Sequence, residues 1–257
     1  MIASVFAARR EDGRAALIPY VTAGHPAADS TVPVLHALAD VGADIIELGV
    51  PFSDPLADGP TIQASSFRSL QNGTTVERVL ADLRRFRAER DTPVVIFTYL
   101  NPVLRYGVEA FLADASEAGA NGLLLTDVPL GADPELELAV AGSPLDFIRL
   151  VAPTTEEDRI PDIAQGGSGF LYYISRTGVT GARSELRQDL AGEVERLRGL
   201  VGLPVAVGFG ISTADQAREV GAIADGVVVG SALVRIMDEG GIEAGARFVA
   251  DLRAALD

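Results

Sequence analysis

Short apolar runs rich in Val, Ile and Leu alternate along the chain with longer segments in which apolar residues recur at helical spacing. Eight runs read as strands: ALIPYV (16–21), DIIELGV (44–50), PVVIFTYL (93–100), GLLLTDV (122–128), DFIRLVA (146–152), GFLYYIS (169–175), PVAVGF (204–209) and DGVVVG (225–230). Between them, residues 75–89, 109–117, 186–200 and 213–220 show one apolar face and an acid-rich or arginine-rich opposite face, the pattern of surface helices. Runs that are apolar on both faces predict parallel strands covered by helices. An even βα alternation without a composition break predicts a closed (β/α)8 barrel, the TIM-barrel architecture, as a single domain over residues 1–257 rather than an open doubly wound sheet. A weak internal echo (VGADIIELG, EAGANGLLLTD, VGAIADGVVVG) precedes strands two, four and eight, and glycine-capped helix-to-strand loops are enough to produce it.

Composition narrows the chemistry. With 21 basic and 36 acidic residues the net charge is −15, so nucleic acid and anionic membrane are poor partners. No apolar run approaches the roughly 18 to 20 residues that span a bilayer, and the opening MIASVFAARREDGR has too short an apolar stretch for an export signal; a cytoplasmic location is expected. There is no cysteine, and every basic residue is arginine, which excludes thiol nucleophiles, disulfides and a lysine imine with a carbonyl substrate or with pyridoxal phosphate. The two histidines, His25 and His36, lack metal-ligand spacing, so no metal site is expected. Acid-base work falls to carboxylates and tyrosines.

The stretch IIELGVPFSDPLADGP (45–60) places Glu47 inside an apolar strand and follows it with a loop carrying Asp54 and Asp58. In a barrel of this kind the C-terminal strand ends and the loops after them form the active face. Alternation sets Glu47 opposite Ile46 and Leu48, toward the barrel mouth, where partial burial would raise its pKa into a range useful for proton transfer. Pro51, Pro55 and Pro60 stiffen the loop. A structural alternative stays open, in which Glu47 pairs with an arginine and the aspartates cap turns or the helix beginning near Thr61. Later, SRTGVTGA, VGFGIS and VVGSAL supply three consecutive glycine-bearing loops on the same face, and Gly181, Gly208, Gly210, Gly230 and Ser231 form a candidate phosphate cradle. The dinucleotide alternative is weak, since Gly208 and Gly210 lack the third glycine of G-x-G-x-x-G.

The segment ELGVPFSDPLADGPTIQ, with YVTAG before it and SRTGVTG, GFGIS and VVGSA after it, resembles the tryptophan synthase α subunit family over essentially the whole chain. That resemblance implies retro-aldol cleavage of indole-3-glycerol phosphate to indole and glyceraldehyde 3-phosphate, a lyase step late in tryptophan biosynthesis. It implies Glu47 as general acid and base and Asp58 as the carboxylate that holds the indole N–H. Tyr20, Tyr99, Tyr172 and Thr180 would line or close the site, under a lid at about 176–188, with the glycines and Ser231 on the phosphate. It further implies a β subunit carrying pyridoxal phosphate, an αββα assembly, no cofactor on this chain, and contacts through 51–60, where Asp54 would communicate between subunits, and through 101–106. Two positions depart from the family pattern: His25 stands where aspartate is common and Tyr20 where some members carry phenylalanine. His25, between Gly24 and Pro26, reads as an exposed turn residue. Alternatives kept open are a stand-alone lyase releasing indole, a non-catalytic barrel that binds phosphosugars, and a phosphosugar isomerase.

Overall fold

A computed structural model describes residues 1–174, 189–208 and 210–257. The strands are β1 (Ala16–Thr22), β2 (Ile46–Gly49), β3 (Val94–Thr98), β4 (Gly122–Leu125), β5 (Asp146–Val151), β6 (Leu171–Ile174), β7 (Val205–Gly208) and β8 (Gly226–Val229). All pair in parallel in sequence order, and β8 returns to β1 with Ile18 opposite Val228, closing the barrel. The helices are α1 (Ile2–Glu11), α2 (Thr31–Asp40), α3 (Pro60–Gln71), α4 (Val76–Arg87), α5 (Leu100–Tyr106), α6 (Val108–Glu117), α7 (Pro134–Ala141), α8 (Ile160–Gln165), α9 (Leu190–Leu200), α10 (Ala214–Gly221) and α11 (Ser231–Leu256). Thr75, Asp133 and Thr213 start α4, α7 and α10 by accepting a backbone N–H three residues on. Among the described residues no helix is long and apolar enough to cross a membrane.

Strand alternation sorts the core into two layers. Outward residues such as Leu17, Ile46, Leu48, Ile96 and Leu123 pack under the helices. Inward residues Ala16, Ile18, Ile45, Val95, Leu124, Ile148 and Val228 fill the lower barrel together with Ile2 and Phe6 of α1, whose Phe6 ring meets Phe170 at 5.5 Å. Each fully buried Val, Ile, Leu or Phe among them contributes roughly 1.5–3 kcal/mol. The opening segment thus supplies a plug for the barrel floor.

The internal echo has a polar component. Asp44, Asn121, Ser168 and Asp225, lying just before β2, β4, β6 and β8, accept the backbone N–H of Leu17, Val94, Phe147 and Val205 at 2.8–3.0 Å. Each clips the preceding odd-numbered strand at the lower rim, at its first or second residue, whose N–H would otherwise lack a partner. The echo therefore belongs to the architecture, as glycine-capped loops alone also predicted, and Gly42 and Gly119 take positive φ of 93° and 92°. With the floor packed and clipped, side chains at the opposite rim are left for chemistry.

Candidate active site

Glu47 lies on the inward face of β2 and is fully buried, beyond the partial burial expected from alternation. Neither carboxylate oxygen has a hydrogen-bond partner among the described residues, and burial pushes its pKa up to about 8. No arginine pairs with it, so the ion-pair alternative is removed for the described residues.

Asp58 sits half-buried in the loop between β2 and α3. Its backbone is held at both sides: its N–H donates to the Pro55 carbonyl at 3.0 Å and its carbonyl accepts from Gln63 Nε2 at 2.9 Å. The cap of α3 is Gly59, without a side-chain bond, so the Asp58 carboxylate is not spent as a helix cap. Tyr99, which follows β3, carries the other half of the loop: its hydroxyl accepts the Ala57 N–H at 3.1 Å and its ring lies 5.2 Å from that of Phe52. Burial raises the Asp58 pKa to about 6, against a hydrogen bond from Tyr99 that favours the charged form.

Tyr20 and Tyr172 form two walls by the same device. Tyr20 pairs in register with Glu47, and its ring crosses Gly49 two residues farther along β2; Tyr172 pairs with Ala206, and its ring crosses Gly208 two residues farther along β7. A Cβ on Gly49 would lie 2.2 Å from the Tyr20 hydroxyl, and one on Gly208 would lie 2.2 Å from the Tyr172 hydroxyl. Gly49→Ala is accordingly expected to displace Tyr20 and cost about 1–3 kcal/mol in urea unfolding, with Tyr20→Leu in the same chain recovering part of the loss. Phe97 braces Tyr20 edge-on, ring centroids 5.1 Å apart.

Beside these two tyrosines on the rim, Gly208 ends β7, Gly210 follows it at φ +81°, Gly230 caps α11 with no side-chain bond, and Ser231 opens that helix. Because β7 and β8 are neighbours, these four lie at adjacent strand ends. Helix N–H groups left uncapped there favour an anion. Thr180, Gly181 and the 176–188 lid fall outside the described residues. Asp54 is exposed and accepts from Ser53 Oγ at 2.5 Å, beside Leu56 at 93% exposure. Among the described residues no group of His, Asp and Glu could hold a metal ion.

The sequence model of the family described as tryptophan synthase alpha chain matches residues 6–254. The chain belongs to the tryptophan synthase alpha chain family. The alpha chain of Burkholderia pseudomallei (strain 1106a) is 47% identical across 100% of this chain and 96% of its own length. That of Citrifermentans bemidjiense is 50% identical across 93% of this chain and 89% of its own. Among solved structures, the alpha subunit from Legionella pneumophila str. Paris superposes with a TM-score of 0.93 at 35% identity, covering 100% of this chain and 98% of that one. A Mycobacterium tuberculosis tryptophan synthase chain superposes at 0.92 with 38% identity, covering 99% and 97%.

Against that family background His25 needs a correction. Expected as an exposed turn residue, it is only 2% exposed, with Nε2 3.4 Å from Asp238 of α11, a carboxylate it shares with Arg68 of α3. Burial lowers its pKa, opposed by Asp238. Turn chemistry describes the local backbone and is blind to two helices closing over it. Sequence reasoning also missed Thr22 and Ser65, buried hydroxyls behind Tyr20. The available signal was alternation, which sets Thr22 on the same face as Tyr20.

Proposed function

We propose that Glu47 and Asp58 divide the proton traffic of the alpha chain reaction, in which indole-3-glycerol phosphate is cleaved to indole and glyceraldehyde 3-phosphate in tryptophan biosynthesis. The observation that carries this reading is a pair of carboxyls at one rim whose pKa values stand apart, about 8 for Glu47 and about 6 for Asp58. At neutral pH the first holds a proton and the second is charged. Protonated Glu47 delivers its proton to indole C3, and the positive charge that develops on the ring nitrogen is stabilised by Asp58 accepting the indole N–H. The Glu47 carboxylate then takes the proton of the adjacent glycerol hydroxyl. The carbon-carbon bond breaks, its electron pair restores the indole ring, and the aldehyde carbonyl forms. Glu47 ends with the proton it began with. Protonated indole is the electron sink, so a chain without lysine suffices.

Tyr20, Tyr99 and Tyr172 line the indole end, and Gly208, Gly210, Gly230 and Ser231 hold the phosphate, joined by Gly181, with Thr180 meeting Asp58 as the 176–188 lid closes. The family implies a beta subunit as partner, and the pyridoxal phosphate belongs to that subunit. We assign the 51–60 loop, with Asp54 and exposed Leu56, and α5, with exposed Leu104, to that contact within an αββα assembly. This chain needs no cofactor of its own in the reading, works in the cytoplasm, and engages neither nucleic acid nor membrane.

Incubating the purified chain with indole-3-glycerol phosphate, alone and with beta subunit, tests substrate and partner together. Indole release that rises with added beta subunit is expected; binding without turnover would favour a non-catalytic barrel. The pH profile of kcat/KM should rise as Asp58 ionises near 6 and fall as Glu47 loses its proton near 8. A profile flat from pH 5 to 9 would remove the carboxyl pair from the mechanism.

A further inference from the structure

The inward face of β1 continues past Tyr20 to Thr22, where the barrel wall meets α3 through hydroxyl groups. Tyr20 Oη lies 3.4 Å from Thr22 Oγ1, Thr22 Oγ1 lies 2.7 Å from Ser65 Oγ, and Ser65 Oγ lies 2.9 Å from the Ile62 carbonyl oxygen. All three side chains are buried. The polarity of the string follows from its ends. A carbonyl oxygen only accepts, so Ser65 donates its one proton to Ile62, Thr22 donates to Ser65, and Tyr20 donates to Thr22. In the reverse order the Tyr20 proton would need an acceptor within the site, and neither oxygen of Glu47, its register partner, receives a hydrogen bond among the described residues. The forward order gives every hydroxyl an acceptor.

Helix α3 is fastened in register for this string. Ser69 Oγ donates to the Ala23 carbonyl and Asn72 Nδ2 to the Gly24 carbonyl at 3.1 Å, so Ser65, Ser69 and Asn72 present one polar helix face to the chain from Thr22 to Gly24. Among the described residues the ionisable groups acting on Tyr20 are Asp58 from the loop before α3, Glu47 from β2 and Tyr99 after β3, with no arginine, and Tyr20 in turn acts on Tyr172 of β6.

We propose that Thr22 and Ser65 are positioning residues that turn the Tyr20 hydroxyl proton away from Glu47 and Asp58, so that the phenol shows the carboxyls its oxygen and Glu47 keeps the proton it delivers. The role rests on the reading of Glu47 as proton donor. A phenol proton directed at a carboxylate would favour its ionised form, and Glu47 would then empty at lower pH.

The test follows the Glu47 titration by carbon-13 NMR of protein labelled at glutamate carboxyls, its signal being the one lost in Glu47→Gln, beside the pH dependence of kcat/KM. Thr22→Val keeps the shape and removes the acceptor. It is expected to lower the Glu47 midpoint by about one pH unit, a tenfold change in proton affinity, and to move the basic limb of kcat/KM the same way. Thr22→Ser restores a hydroxyl and should titrate as the parent protein. Ser65→Ala makes the same comparison from the helix side should valine disturb the strand. In a Tyr20→Phe background, Thr22→Val should leave the midpoint unmoved. A Thr22→Val titration that superimposes on the parent, or a shift that persists without the Tyr20 hydroxyl, overturns the proposal. If the parent chain fails to cleave indole-3-glycerol phosphate while the NMR shifts appear as stated, the substrate reading falls and the positioning role stands.

Discussion

Glu47→Gln lowers kcat for indole-3-glycerol phosphate cleavage by about 10²- to 10⁴-fold, the usual range for a positioned proton-transfer group, and leaves KM close to that of the parent chain. Glutamine keeps the shape of the side chain, and the adjacent strand ends that bear Gly208 and Gly230 do not depend on it. The same variant gains stability at alkaline pH. Folded Glu47 holds its proton up to about pH 8, whereas an unfolded glutamate releases it near the ordinary 4.5. Between those values the native state carries more protons than the unfolded state, so the stability of the parent chain falls as pH rises through the window. Glutamine has no charge to bury. Glu47→Gln should therefore match its parent in urea unfolding at pH 4.5 and exceed it at pH 9, by an amount on the order of a few kcal/mol. Loss of activity without that pH-dependent gain would mean that Glu47 is not desolvated in the folded chain. A buried carboxyl without a partner among the described residues is destabilising once ionised, a cost compatible with the proton-transfer role proposed for it.

The second large effect lies on the outer side of the barrel. Arg149 of β5 is 4% exposed and ties three segments together. Its Nε donates to the Gly166 carbonyl at 3.1 Å, its Nη1 to the Val128 carbonyl at 3.4 Å, and its Nη2 faces Glu137 of α7 at 3.1 Å, while the guanidinium lies 3.9 Å from the Phe147 ring centroid. Arg149→Ala removes the cation facing Glu137, which keeps only the Gly131 N–H at 2.8 Å, takes the donor from two carbonyls and opens a hole beneath α8. A loss of about 3–5 kcal/mol is expected, read from the urea midpoint at constant slope. Replacing Glu137 by glutamine in the same chain should recover part of the loss, since the charge that has lost its cation is then gone. An Arg149→Ala midpoint within error of the parent would show that this buried ion pair contributes nothing net.

Much of the fold was legible because it is written in local periodicities. Every run from ALIPYV to DGVVVG became a strand of the closed barrel, and helices expected over 75–89, 109–117 and 213–220 form within a residue or two of those bounds. α9 occupies Leu190–Leu200, shorter than the expected 186–200, whose residues 186–188 lie outside the described set. The plug helix α1 went unread, since its buried Ile2 and Phe6 are too few to mark a face and only the open barrel floor gives them a destination. Arg149 was equally silent: a cation in an outward strand position signals nothing until α7 delivers Glu137 to it.

By itself the sequence determined the βα order, the inward direction of Glu47 and the acid-bearing loop behind it, because alternation and proline act over a few residues. Tertiary structure alone decided that Glu47 is left without a partner among the described residues, that Tyr99 holds the Asp58 loop and that His25 is enclosed. Those outcomes depend on groups dozens to hundreds of residues apart in the chain being brought within a few ångströms, and the solvation of a charge is settled only once that closure has occurred.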